Sequence, residues 1–245
     1  MKSIPISLQT YSVRDDMKTD FARTIAEIGK IGYTGVELAG HRDFDAAALK
    51  AAIDGAGLKV SALTLGYAEI HADLNAIVSE ALHFGTKNVN CMWWPGTHYL
   101  SAAACQKIGE KLGEIGSALR PFGIQFSFHN HAREFQLVDG RPVFDWILSA
   151  AAPRDLKAEP DVYWIHKGGY SPAKFLREQG SRCPLIHIKD ETELGLGPVN
   201  FAEVFAVVEE IGAVEWYVVE QEKYNHAPLH SVRLCFEQLK RWGKA

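Results

Sequence analysis

The chain has 245 residues, of which 47% are hydrophobic and 23% charged, the balance of a soluble globular protein with enough length to bury a large core. A net charge of −4 excludes the basic footprint that nucleic acid or an anionic membrane surface requires. No apolar run approaches the ~18 residues of a membrane span. Met1-Lys2-Ser3-Ile4-Pro5 leads directly into a strand-like run, so no signal peptide and a cytoplasmic location are expected. Cys91, Cys105, Cys183 and Cys235 are far apart, with no C-x-x-C spacing, which predicts reduced thiols and no disulfide framework.

Taken in chain order, short β-like runs alternate with helical stretches. The strands expected are Ile4–Tyr11, Gly35–Ala39, Leu58–Gly66, Lys87–Trp93, Ile124–His129, Leu156–Asp161, Leu185–Lys189 and Trp216–Glu222. Helical periodicity runs through Phe21–Ile31, Ala46–Ala56, Leu74–Phe84, Ala102–Leu119 and Phe201–Ile211. Several of these end on a stop signal: Gly32, Gly57, Gly85, Pro121-Phe122-Gly123 and Gly212. Ser171-Pro172 reads as a helix start, N-cap followed by N1 proline. No hairpin signal such as Asn-Gly and no linker or low-complexity tract interrupts the alternation. Eight strand–helix units imply a parallel sheet, and a chain near the usual ~250 residues suits one closed (β/α)8 barrel, a TIM barrel spanning residues 1–245 as a single domain.

Strand parity sharpens this expectation. In an open sheet covered by helices on both faces, strands are apolar throughout. Here one parity is polar: Ser7, Gln9 and Tyr11; Glu37; Asn88 and Asn90; Gln125, Ser127 and His129; Lys157, Glu159 and Asp161; His187 and Lys189; Glu220 and Glu222. Side chains alternate across a strand, so each set shares one face. Charged groups pointing inward from several strands are tolerable only when paired or metal-bound. A barrel with a polar mouth accommodates them, and an open sheet does not.

The stretch Phe126-Ser-Phe-His-Asn-His-Ala-Arg-Glu-Phe135 ends a strand and supplies His129, Asn130, His131 and Glu134 within six residues. With Asp161, His187 and Glu220, Glu134 makes a set of three carboxylates and one imidazole, one near the end of each of strands five to eight. Such a set suits Mn2+, Mg2+ or Co2+ better than a thiolate-rich zinc site does. The competing reading pairs Asp161 and Glu220 with Lys157 or Lys189 as strand-end salt bridges.

The motifs His129-Asn-His-Ala-Arg-Glu-Phe135, Asp161-Val-Tyr-Trp164, Leu185-Ile-His-Ile-Lys-Asp190 and Tyr217-Val-Val-Glu-Gln-Glu222, with Ile6-Ser-Leu-Gln-Thr-Tyr-Ser-Val13 and Gly35-Val-Glu-Leu38, resemble the xylose isomerase-like TIM barrels, in the branch of sugar phosphate isomerases and epimerases. The resemblance covers the whole chain and implies a divalent cation held by Glu134, Asp161, His187 and Glu220. The family glutamate often stands on strand five itself, where this chain has His129 and His131, and Glu222 shares a face with Glu220. The cation implied is Mn2+, with Mg2+, Co2+ or Zn2+ as alternatives.

His131 is the candidate general base, because a neutral imidazole beside a cation is poised near neutral pH; the plain alternative is a hydrogen-bonded strand-end histidine. Lys189 is the candidate stabiliser of an enolate oxygen, against a salt bridge to Glu159 or Asp161. Glu134 and Glu220 are further candidates for moving the proton. His129 is read as a supporting or substrate-binding residue. Glu37 is expected to bind a sugar hydroxyl or orient a ligand histidine, and Trp94 and Trp164 to stack on a sugar face. His166, beside Lys167 and Gly168-Gly169, is a loop candidate for substrate contact, whereas His98, His226 and His230 are expected in solvent. Gly195-Leu-Gly-Pro198 is a candidate phosphate-binding backbone loop, without a G-x-G-x-x-G or P-loop pattern. No Lys/Arg pair marks a phosphate clamp.

The resulting expectation is a metal-dependent isomerase or epimerase of a sugar, keto-sugar or cyclitol, working by proton abstraction next to a carbonyl through an enediolate. Two alternatives stand beside it. One is a lyase or dehydratase performing β-elimination on a 3-keto-sugar, 3-keto-glycoside or ketoinositol. The other is a non-catalytic sugar-binding or partner-subunit barrel. The partner expected is a small-molecule sugar, with no nucleic acid and no membrane, and homo-oligomerisation is compatible with the sequence. The DNA-repair barrels of the same superfamily need a basic groove, which the charge opposes.

Overall fold

A computed structural model describes residues 3–94 and 99–245; His98, expected in solvent, lies outside the described residues. Eight parallel strands form the framework: Ile6–Gln9, Gly35–Ala39, Lys59–Leu65, Asn88–Cys91, Gln125–His129, Lys157–Glu159, Leu185–Ile188 and Trp216–Val219. Numbered one to eight along the chain, they are hydrogen-bonded in the order six-five-four-three-two-one-eight-seven. The remaining seam, between strands six and seven, is joined at its mouth by the parallel bridge between Asp161 and His187, where the His187 N–H donates to Pro160 O at 2.9 Å. The result is a nearly closed (β/α)8 TIM barrel.

Alternation decides which side chains face where. The outward parity, including Phe126, Phe128, Ile186, Ile188, Tyr217 and Val219, is buried against the helices. The inward parity carries a small apolar cluster of Ala62, Leu185, Val218 and Trp216, and its polar groups partner one another: Ser7 with Ser61 (Oγ–Oγ 2.7 Å), Gln125 with Asn88 (3.4 Å) and Ser127 with Asn90 (3.4 Å). These pairs satisfy groups that would be costly to bury alone. The register between strands two and three shifts after Val36: Val36 lies opposite Val60 and Glu37 opposite Ala62, so Ser61 of strand three is the extra residue.

Helix starts and stops follow the local chemistry. Ser171 accepts the Lys174 N–H at 3.2 Å and Pro172 opens the helix behind it. Gly85 and Gly212 adopt left-handed φ of 69° and 65° at helix ends, where a Cβ would be strained. The first helix runs over Arg14–Ile31, longer than expected, and breaks at Asp20 (φ −160°, ψ 91°). The Asp20 carboxylate accepts the Arg23 N–H at 3.0 Å, a second N-cap that explains why the regular periodicity begins at Phe21. Strand six is shorter than expected, because Pro160 has no N–H and Asp161 caps the helix Val162–Lys167 by accepting the Trp164 N–H at 2.8 Å. Two elements were not anticipated. A short helix, Tyr67–Ala72, follows strand three, and a small hairpin pairs Leu137–Val138 with Arg141–Pro142. Its Asp139-Gly140 turn has positive φ at both residues, the Asp-Gly hairpin signal in the sequence. Among the described residues no helix is long and apolar enough to cross a membrane.

Candidate active site

The strand ends deliver a buried polar group to one end of the barrel. His129 closes strand five, Asp161 follows strand six, His187 lies in strand seven and Glu220 follows strand eight. One donor atom from each falls within 4.8 Å of all the others, and all four residues are buried. Asp161 Oδ2 and His129 Nδ1 have no hydrogen-bond partner among the described residues. Two carboxylates and two imidazoles converging with unfilled donor capacity fit a divalent cation of the Mn2+, Co2+ or Zn2+ type. Buried unpartnered oxygens and nitrogens are otherwise costly.

Electrostatics mark the same place. Burial raises Asp161 to about 7, against the pull of Lys189. Burial also opposes ionisation of Glu220, yet Lys189 and His187 hold it well below the usual carboxylate range. His187 works in the opposite sense: burial disfavours its charge, but Glu37 and Glu159 raise it well above the ordinary imidazole value. Burial, then the charge on His187, pushes His129 well below it. Lys189, only 1% exposed, places Nζ 2.9 Å from Glu222, 3.3 Å from Glu220 and 3.8 Å from Asp161. Its ammonium also lies 5.0 Å from the Trp164 ring centroid. Burial opposes its charge, but Glu220, Asp161 and Glu222 raise its pKa. The salt-bridge reading of Lys189 and its candidate chemistry are therefore compatible, since one ammonium serves several carboxylates at the cavity.

Below the mouth, Glu37 and Glu159 meet the other edge of His187, at 3.1 and 3.7 Å from Nε2. Burial raises Glu159 well above the carboxylate range, with the charge on Glu37 next in weight. Burial works the same way on Glu37, but His187 and the hydroxyl of Thr64 bring it below that range. Two abutting carboxylates therefore divide into one neutral and one ionised group.

Glu134 departs from its expected place. It is buried, but its carboxylate accepts the His131 backbone N–H at 2.7 Å, the Arg133 Nε–H at 2.9 Å and the Tyr99 hydroxyl. It thus caps the turn Ala132–Phe135, and His129 occupies the strand-five corner of the cluster. Because Glu134 lies three residues beyond His131, local capping geometry takes it before the barrel axis can. His131 is half-buried, lines the main cavity and sits edge-on to His129 with centroids 5.1 Å apart. Burial lowers its pKa.

Other candidates scatter. Glu37 is fully buried, with Oε1 engaged by Gln9, Thr64 and His187 and Oε2 without a partner among the described residues; it is not part of the cavity lining, so of its two expected tasks only contact with the histidine has a geometric basis. Trp164 packs near His131 and Lys189, and its Nε1 lacks a partner among the described residues. Trp94 is spent on Tyr67, 4.1 Å between centroids, while its neighbour Trp93 lines the cavity and is half exposed. His166 is exposed on the helix after Asp161, and His226 and His230 are exposed and stacked on each other. The Gly195–Pro198 loop is no phosphate cradle. Its N–H groups at Gly195 and Gly197, with those of Glu191 and Val199, already point at the Asp190 carboxylate.

The cavity above the cluster measures about 460 Å³. Its lining joins His129, His131, His187 and Glu220 with the apolar and aromatic Tyr11, Met17, Phe44, Met92 and Trp93 and the charged Arg14, Lys18, Arg42 and Glu69. Sequence reasoning missed Met17, Phe44 and Met92 on this lining, and with them Tyr99. Asn130, singled out in the sequence beside the two histidines, is fully buried and accepts the Asp161 N–H at 3.0 Å.

A sequence model of the xylose isomerase-like TIM barrel family matches residues 25–242. The chain belongs to this family. No curated protein matches it by sequence. Among solved structures, a sugar phosphate isomerase/epimerase from Parabacteroides distasonis superposes with a TM-score of 0.87 at 23% identity, covering 98% of this chain and 94% of that one. A D-allulose 3-epimerase from a Methylomonas species gives 0.74 at 14% identity, covering 98% of each chain. A probable 3-DHS dehydratase from Bacillus anthracis gives 0.77 at 14% identity, covering 97% and 99%. At such identities the likeness establishes the shared fold.

Proposed function

We propose that the protein is a divalent-metal-dependent enzyme that isomerises or epimerises a keto-sugar or cyclitol by removing a proton from the carbon beside a carbonyl. The observation that carries this reading is the buried Lys189 ammonium within 3.8 Å of both Asp161 and Glu220, two members of the four-residue cluster, with His131 on the wall of the same cavity. A sugar-binding site has no need of an ammonium buried at that depth, whereas an enolate does. The epimerase and isomerase names among the structural neighbours agree with it.

His129, Asp161, His187 and Glu220 would hold the cation, with Mn2+ the first choice for a mixed carboxylate–imidazole set. Bound there, it would supply Lewis-acid polarisation of the substrate carbonyl. The chain does the rest. His131, kept neutral by burial, accepts the carbon-bound proton. Glu134 anchors the His131 backbone and Tyr99 anchors Glu134, which fixes where that imidazole stands. Lys189 faces the developing enediolate oxygen and is charged throughout. Return of that proton from His131 to the neighbouring carbon completes isomerisation, whereas epimerisation takes a proton from a second donor on the opposite face.

One observation favours β-elimination as a second reading. Beyond the cluster residues the same cavity is lined by Met17, Phe44, Met92 and Trp93 together with Arg14, Lys18 and Arg42, room for a leaving group, and one structural neighbour is named a dehydratase. Incubation with Mn2+ and a panel of keto-sugars, keto-glycosides and ketoinositols in D2O tests both. Deuterium at the carbon beside the carbonyl without loss of a substituent supports the first reading; deuterium with release of water or an aglycone supports the second. His131→Ala should slow exchange by roughly 10²-fold, the scale of a positioned acid–base group. Tight binding with no exchange across the panel would instead make this a binding protein.

A further inference from the structure

Glu37 Oε1 is the meeting point of three strands. It accepts from Gln9 Nε2 of strand one at 2.7 Å and from Thr64 Oγ1 of strand three at 2.6 Å, and it lies 3.1 Å from His187 Nε2 of strand seven. Gln9, Glu37, Thr64 and His187 are all buried. Oε1 accepts from the Gln9 and Thr64 side chains, and the Nε2–H of His187 completes the set of donors around it. The opposite edge of the same ring faces the proposed cation site, where a cation would take the place of the Nδ1 proton that Glu220 accepts in the metal-free chain. His187 Nδ1 lies 3.0 Å from Glu220 Oε2 and 4.0 Å from Asp161 Oδ2.

We propose that Glu37, held by Gln9 and Thr64, is a positioning residue that keeps the proton of His187 on Nε2, so that Nδ1 is the nitrogen presented to a divalent cation. A neutral imidazole has one N–H and one lone pair, and the partner of the first decides the direction of the second. The inference rests on the reading of His129, Asp161, His187 and Glu220 as the cation site, and it adds which nitrogen binds and what enforces the choice. The rival assignment makes Glu37, Glu159 and His187, whose donor atoms also lie within 4.8 Å of one another, a second cation site. Gln9 and Thr64 fill only Oε1, whereas Glu37 Oε2 and both Glu159 oxygens have no hydrogen-bond partner among the described residues, so the number of equivalents bound decides between the two assignments.

Co2+ titration of the metal-free protein, followed by visible absorption, gives affinity and stoichiometry without any substrate. The expected result is one equivalent bound by the wild type and affinity weakened about 10–100-fold in Glu37→Gln, the usual cost of losing a partner behind a ligand histidine. Glu134→Gln should leave the affinity unchanged. Nitrogen-15 NMR of the Zn2+-loaded wild type should show His187 protonated on Nε2 and ligated through Nδ1. Should Glu37→Gln fail to fold, Thr64→Val removes one of the two donors and should weaken Co2+ binding in the same direction. Affinity unchanged in the folded Glu37 variant or in Thr64→Val, or ligation of His187 through Nε2, overturns the inference while leaving the cation site intact. Two equivalents in the wild type, one of them lost in Glu37→Gln, favours the second cation and also overturns it. No binding by the wild type refutes the cation site itself, and the inference with it.

Discussion

Replacing Lys189 by Met removes the ammonium while keeping a linear side chain of similar bulk, so the change reads charge more than packing. In the wild type, Lys189 Nζ lies 3.3 Å from Glu220, 3.8 Å from Asp161 and 2.9 Å from the more exposed Glu222. Without it, the fully buried Asp161 and nearly buried Glu220 keep only His187 as a cationic neighbour within 4 Å among the described residues. Breaking a buried pair by removing one partner costs about 3–5 kcal/mol. For a chain of this length each kcal/mol moves Tm by about 2–4 °C, so metal-free Lys189→Met should melt roughly 6–20 °C below the wild type. Saturating Mn2+ should restore much of that loss, because it returns positive charge to the same carboxylates and binds only the folded chain. The variant should bind Mn2+ at least as tightly as the wild type while its D2O exchange falls by about 10²–10³, the scale of a lost oxyanion partner. Differential scanning calorimetry with and without Mn2+ measures the first part and NMR-detected exchange the second. A Tm change below about 2 °C, or a deficit that Mn2+ leaves untouched, would refute the claim that Lys189 and a cation share these carboxylates.

The strand-five corner is tested by a pair of variants: His129→Ala should weaken Co2+ binding by at least tenfold, and Glu134→Gln should preserve it while slowing exchange through the displaced His131 backbone. The reverse pattern, read by the same titration, would return Glu134 to the ligand set. Asp190→Ala should destabilise the chain by about 3 kcal/mol or more, because four backbone N–H groups converge on that carboxylate and each left unsatisfied costs about 1–3 kcal/mol. Urea unfolding measures this, and a loss below about 1 kcal/mol would show that water replaces the carboxylate. Burial pushes Cys91, Cys183 and Cys235 up to about 12, and Cys105 is buried with them. None of the four thiols should react with Ellman's reagent in the native protein at pH 8, and all four should react in guanidinium. A thiol that titrates at once under native conditions contradicts the packing.

The barrel was legible because its signal repeats. Polar residues at every second position of Gln125–His129, and in Lys157, Glu159 and Asp161, have one explanation, an interior face. That explanation holds even where the strands end earlier than the pattern. Asp161 and Glu220 keep their direction although regular pairing stops at Glu159 and Val219, because the chain leaves each strand only after the inward residue is set. Glu134 was misplaced for the complementary reason. Beyond His129 the chain turns, alternation no longer applies, and the nearest unsatisfied N–H, that of His131, takes the carboxylate. The spacing of three between His131 and Glu134 carried that information as a capping pattern, but the same four residues also suited a ligand run. Gly195-Leu-Gly-Pro198 was ambiguous in the same way, since glycines that admit a phosphate also admit the chain's own Asp190. Tyr99 and the wall of Met17, Phe44 and Met92 left no local trace. Met17 meets the site from the first helix and the others from segments outside the strands, and their approach depends on barrel closure.

That closure explains why the site and the fold are hard to separate in this chain. Strand six is three residues long and pairs with strand five alone; toward strand seven the described contact is the bridge between Asp161 and His187 and the bond from His187 N to Pro160 O. The last joint of the barrel is therefore made by two of the residues whose side chains form the cluster. Asn130 ties the end of strand five to the same joint through the Asp161 N–H. Glu37 reaches His187 from the opposite side of the barrel, anchored by strands one and three. Charge at the mouth thus bears directly on the seam. Carboxylates left unbalanced would push apart strands with little ladder between them, whereas an ammonium or a divalent cation draws them together. A long ladder between strands six and seven would have let the site change its charge without cost to the fold. With a single bridge there, the thermal response of Lys189→Met and its recovery with Mn2+ become readouts of the seam itself.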